Sequence, residues 1–118
     1  MNRYKINIGD PFDFRGPKEI DYILVEPVSI VHGPDTPNWQ KEDWIFKLVE
    51  PVDYKGDLVE FVTALPRYSD DKLEDILIKD TTVSVGRVLP NKQITSENRY
   101  KSTDIDYWAI GRISIYPE

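Results

Sequence analysis

The sequence predicts an all-β, mainly antiparallel fold, a small barrel or a curled sheet or sandwich of roughly six to eight strands, with one short helix near residues 70–78. Two observations predict it. Apolar residues arrive in short bursts rich in Ile, Val, Phe, Tyr and Trp, each closed by Pro, Gly or Asp, which is how strands and their turns read in a sequence. The bursts also recur at regular spacing with turn signals between them, as an antiparallel chain requires.

The strong bursts run from Tyr4 to Ile8, Tyr22 to Val31, Trp44 to Val49, Leu58 to Ala64, Val83 to Leu89 and Tyr107 to Tyr116, with Phe12 to Phe14 and Val52 to Tyr54 as lesser candidates. In the third, Trp44, Phe46 and Leu48 alternate with Ile45, Lys47 and Val49, so one face is apolar and the other carries a charge. After Val52-Asp53-Tyr54, Gly56 supplies a residue free to take positive φ before the pattern resumes at Leu58, which predicts a β-hairpin.

The helix is expected over Asp70 to Ile78. Ser69 is placed to cap it, Asp70 and Asp71 sit at the positive end of its dipole, and Leu73, Ile76 and Leu77 share one face. At about two turns it is marginal alone, so it should lie against the barrel as a lid or plug. Two stretches read as exposed loops, His32 to Asn38 and Pro90 to Thr103. The word Leu24-Val25-Glu26-Pro27-Val28 recurs as Leu48-Val49-Glu50-Pro51-Val52 with no third copy, so two strands meeting the same geometric need explain it better than a repeat array. In each, proline removes a ladder donor and suits an edge, a bulge or a strand exit. The expected core is Ile23, Val25, Phe46, Leu48, Phe61, Leu73, Leu77, Val83, Val85, Ile110, Ile113 and Ile115.

The chain of 118 residues has room for one domain, 1–118, large enough to bury a core without metal or disulfide staples. Fifteen Lys and Arg against 21 Asp and Glu give a formal charge of −6, the opposite of the cationic footprint that phosphate contacts require, so nucleic-acid binding is disfavoured. With no cysteine, thiol nucleophiles, cysteine zinc sites and iron–sulfur clusters are excluded. No apolar run is long enough for a bilayer span and no signal-peptide core stands at the N-terminus, so no membrane association and a cytoplasmic location are expected.

Chemistry-bearing candidates are few. His32 is the only histidine, so any Ser-His-Asp arrangement must use it, and no serine sits in a glycine-flanked nucleophile elbow. Carboxylates are too abundant for a catalytic pair to stand out. Asp70, Asp71, Glu74 and Asp75 come nearest to a cation site but read more simply as the first turn and wet face of the helix. The six glycines never fall into a phosphate-cradling spacing. No metal or cofactor is expected, and the balance leans away from an enzyme.

Trp39 is the least bland residue, because its polar surround gives it no periodic reason to be buried, and it suits a binding surface or a loop folded onto the barrel. Residues 36–80 hold six Lys and Arg against eleven Asp and Glu, an acidic region able to steer a basic partner. Arg67 and Tyr68 follow a strand end, where the arginine can pair with helix acids or clamp a carboxylate. The binding residues expected from the sequence are Trp39, Glu42, Asp43, Asp53, Asp57, Arg67 and Tyr68. The leading expectation is a non-catalytic module that binds a basic protein, inhibitor-like or immunity-like by composition alone. The alternative is a small-ligand or oligosaccharide binder, even an enzyme, with an aromatic pocket at the barrel mouth. A single-strand nucleic-acid binder on an OB-like sheet comes third.

Overall fold

The computed structural model describes residues 3–8, 22–32, 42–54, 56–68, 71–89 and 104–116, with Val31, His32 and Tyr54 described through their backbone. Six strands form the chain's framework: β1 (Arg3–Ile8), β2 (Tyr22–His32), β3 (Glu42–Tyr54), β4 (Asp57–Pro66), β5 (Thr81–Val88) and β6 (Ile105–Tyr116). Each pairs antiparallel with the next, and β6 returns to pair with β1 along Ile6↔Ile113 and its neighbours, so the sheet closes into a barrel. Closure satisfies the backbone donors and acceptors that an open sheet leaves at its edges. The barrel alternative is therefore the observed one. The Trp44 and Val52 bursts are parts of one 13-residue strand, β3. The Phe12 to Phe14 candidate and the loop segment 90–103 lie outside the described residues.

The period-2 rule fills the interior: Ile6, Val25, Phe46, Val62, Val85 and Ile113, one from each strand, are completely buried in a single cluster. Of the expected core, Ile23, Leu48 and Val83 join them. Three expectations need correction. Ile110 is only partly buried, because it lies an odd number of residues from Ile113 and so faces the other side of the sheet. Ile115 has the right parity but is 46% exposed, since it lies in the last two residues of β6 at the barrel's end. Phe61 belongs to a second, outer cluster with Ile45, Val88, Ile105 and Trp108. That cluster also explains why Ile45, on the supposedly wet face of β3, is buried.

The expected helix is a short 3-10 helix, η1 (Leu73–Leu77), with no α-helical turn. Its cap is Lys72, with extended backbone, while Ser69 and Asp70 lie outside the described residues. The Lys72 N–H donates to the Asp75 carboxylate at 2.8 Å, and the Asp75 N–H donates back to the Lys72 carbonyl at 3.0 Å. The plug role holds. Ile76 is completely buried in the main cluster and Leu73 and Leu77 pack partly buried beside it. Tyr4 Oη donates to the Leu77 carbonyl at 3.1 Å and Trp44 Nε1 to the Leu73 carbonyl at 3.3 Å, tying η1 to β1 and β3.

Both copies of the repeated word fall on register shifts, one between Pro27 and Ser29 on β2 and one between Lys47 and Val52 on β3. The copies lie on adjacent strands, with Val25 opposite Leu48. Proline cannot donate to the ladder, and a bulge bends the strand that carries it, so the same residues solve the same problem twice.

Candidate functional site

The structure divides the six expected binding residues that it describes between the two ends of the barrel. At the end plugged by η1, Glu42 is exposed at the start of β3 and pairs in the ladder with His32. Asp43, its neighbour, is completely buried and contributes nothing to a solvent-facing acidic surface. Arg67 is exposed and holds its place through its backbone, donating to the Thr82 carbonyl at 2.9 Å. Tyr68 is 60% exposed, and its carbonyl accepts from the Asp71 N–H at 3.1 Å. Trp39 lies outside the described residues, as does the side chain of His32.

At the opposite end stand Asp53 and Asp57, on the β3–β4 hairpin that Gly56 was expected to turn. Gly56 has φ of 87° and donates its N–H to Asp53 Oδ1 at 3.0 Å, so Asp53 shapes the turn while remaining exposed. Asp57 looks inward and accepts a hydrogen bond from the Tyr107 hydroxyl.

Asp57 thereby joins a polar cluster that the sequence did not reveal. Arg87, only 4% exposed, donates from Nε and Nη2 to the two oxygens of Asp106, both at 2.7 Å. Its Nη1 donates to the Leu58 carbonyl at 3.3 Å, and its guanidinium lies 4.9 Å from the Tyr107 ring centre. Tyr107 holds a φ of 51°, a conformation aromatic residues rarely take, at the register shift between β5 and β6. Each partner was visible as an isolated residue. The bulge that puts Arg87 opposite Asp106 and turns Tyr107 toward the hairpin depends on strand register, which no local pattern carries.

The cluster's electrostatics favour a structural clasp over acid–base chemistry. The hydrogen bond to Asp57 holds the Tyr107 hydroxyl above its ordinary range, with burial adding to the effect, so this tyrosine keeps its proton at neutral pH. The hydrogen bond to Asp106 likewise raises Arg87 further, against the opposing effect of burial. The guanidinium is engaged by a carboxylate, a carbonyl and a ring. No three His, Cys, Asp or Glu side chains gather as a metal site among the described residues. Asp71 and Asp75 face Lys79 Nζ at 3.6 and 3.5 Å.

Comparison with family models, with curated proteins and with solved structures finds no match to this chain. The site is therefore read from its own geometry. The barrel interior is filled by Phe46, Ile6, Leu48, Ile113 and Val25, with Ile76 closing one end. Trp44 packs partly buried against the main apolar cluster and Trp108 against the second. No helix among the described residues is long and apolar enough to cross a membrane. Among the described residues the exposed charge of the hairpin is mostly acidic: Glu50, Asp53 and Glu60 are exposed on it beside one exposed cation, Lys47. Glu50 and Glu60 were missed as site residues, because the strand pattern gave no means of telling which acids face water.

Proposed function

We propose that this protein is a non-catalytic binding module that engages a basic protein through the acidic outer surface of its β3–β4 hairpin. The observation that carries the reading is the exposure of Glu50, Asp53 and Glu60 on one two-stranded element of a barrel whose interior is filled with apolar side chains. A barrel with an apolar interior offers its surface for recognition, and an excess of one sign of charge on one element speeds encounter with a partner of the other sign. Among the described residues neither Glu50 nor Glu60 forms an ion pair, so their charge is available to a partner. The formal charge of −6 acts in the same sense.

The test is affinity capture from host lysate at low and moderate salt, comparing the native chain with the Glu50→Lys, Glu60→Lys double variant and with Trp39→Ala. The expected result is a basic protein held by the native chain, weakened by salt and lost with the double variant. Retention that is indifferent to both salt and charge reversal overturns the reading. The two glutamates are exposed, so circular dichroism should report the same β spectrum for the double variant and exclude unfolding as the cause.

A further inference from the structure

The β3–β4 hairpin is two structures in sequence. Up to Leu48, β3 is flanked by β2, and from Val62 onward β4 is flanked by β5. Between those points, residues 49–61, the described ladder pairs the two strands only with each other, along Val52↔Val59, Asp53↔Leu58 and Tyr54↔Asp57. This distal half does not project straight from the barrel. Val59 and Val62, three positions apart and so on opposite faces of a regular strand, are both completely buried in the same cluster, and Val52 packs against it. The strand pair therefore bends and lies over the barrel end opposite η1. The bend coincides with the register shift between Lys47 and Val52 that contains Pro51.

Polar contacts hold the bent half down from the β5–β6 side. Arg87 Nη1 reaches the Leu58 carbonyl at 3.3 Å, where a flanking strand would otherwise donate, and Tyr107 Oη donates to Asp57. Both anchors sit on the rigid barrel, and Arg87 is itself fixed by Asp106. A segment whose ladder bonds, among the described residues, lie on one side only, with an apolar underside and a few latching contacts, opens at lower free energy than strands bonded on both sides.

We propose that residues 49–54 and 56–61 form a strap that swings off the barrel end as one unit while the remaining ladders stay closed, with the Tyr107–Asp57 and Arg87–Leu58 contacts as its latch. Opening lifts Val52 and Val59 from the core and uncovers that end of the interior. It is a property of the free chain and stands whether or not the acidic face binds a partner.

The test is native-state amide hydrogen exchange followed by NMR on the whole chain, comparing the native protein with Tyr107→Phe and with Asp57→Asn. In the native protein the amides of Val52 and Val59 are expected to exchange at least about tenfold faster than those of Ile6, Val25 and Val85. Either variant should speed the strap amides by a further factor of about five, the loss of one hydrogen bond, and leave the barrel amides within about twofold. Equal rates for strap and barrel in the native protein overturn the proposal. So does a variant that accelerates every amide alike, or none.

Discussion

Arg87 and Asp106 face each other across β5 and β6 through two contacts of 2.7 Å, with the guanidinium buried and the carboxylate reaching toward solvent. The asymmetry decides which partner matters more. Removing the carboxylate leaves a buried cation without its counter-charge, whereas removing both partners leaves an apolar-compatible site. Asp106→Ala is therefore expected to destabilise the fold by about 2 kcal/mol, the range of a charged hydrogen bond discounted for the exposure of Asp106. The Arg87→Met, Asp106→Ala double variant should recover part of that loss. Urea unfolding of the native protein and the two variants measures it, and a double variant no better than Asp106→Ala would refute the argument.

Ile76 closes one end of the barrel by burying its whole side chain among strand residues. Ile76→Ala is expected to cost about 2 to 4 kcal/mol, and Tyr4→Phe, which deletes only the hydroxyl's bond to Leu77, about 1 kcal/mol. Ile78→Ala, at a side chain 67% exposed, should change stability by less than about 0.5 kcal/mol. Thermal or urea unfolding ranks the three.

Gly111 on β6 faces β1 so closely that an added methyl group would stand 2.7 Å from the Asn7 carbonyl oxygen and 3.0 Å from an Ile6 methyl. The obstruction is backbone and cannot swing aside. Gly111→Ala should part the β1–β6 seam and destabilise by about 1 to 3 kcal/mol, whereas Ser114→Ala on the same strand should be mild. Amide exchange at Ile6 and Asn7 reports the seam directly.

The Lys72 backbone N–H holds the Asp75 carboxyl below its ordinary value of 3.8, helped by Lys79 and opposed by burial. A depressed carboxylate contributes stability that is fully present above that ordinary value and lost as pH falls through the lower folded value. Acid should accordingly loosen η1 below about pH 4, and Asp75→Asn should remove that dependence. The Trp44 indole N–H, bonded to Leu73, gives an NMR signal that follows the loosening.

Tyr107 moves the other way, raised above its ordinary 10.0 chiefly by its bond to Asp57. Its contribution is fully present below that ordinary value and lost as pH rises through the folded one. Alkaline titration by ultraviolet absorbance should show a late-titrating tyrosine that disappears in Tyr107→Phe and shifts down in Asp57→Asn.

Much of the fold was legible because strands advertise themselves locally. Alternation placed Phe46 and Leu48 inside, glycine after Tyr54 placed the hairpin turn, and each strong burst became a strand. The binding residues were less legible, since acidity identifies a residue type and leaves its exposure open: Asp43 proved buried and Asp57 clasped, while Glu50 and Glu60 face water.

An acidic, cysteine-free, antiparallel β protein, its hairpin and the approximate limits of its strands follow from the residues alone, because side-chain period, turn chemistry and charge are properties of neighbours along the chain. Long-range pairing is what closes β6 on β1, puts bulges at the repeated Leu-Val-Glu-Pro-Val words, makes η1 a 3-10 plug, and brings Arg87, Asp106, Tyr107 and Asp57 together. Those outcomes depend on register between residues as many as about a hundred positions apart, where one residue of slip reverses every side chain and no local pattern reaches.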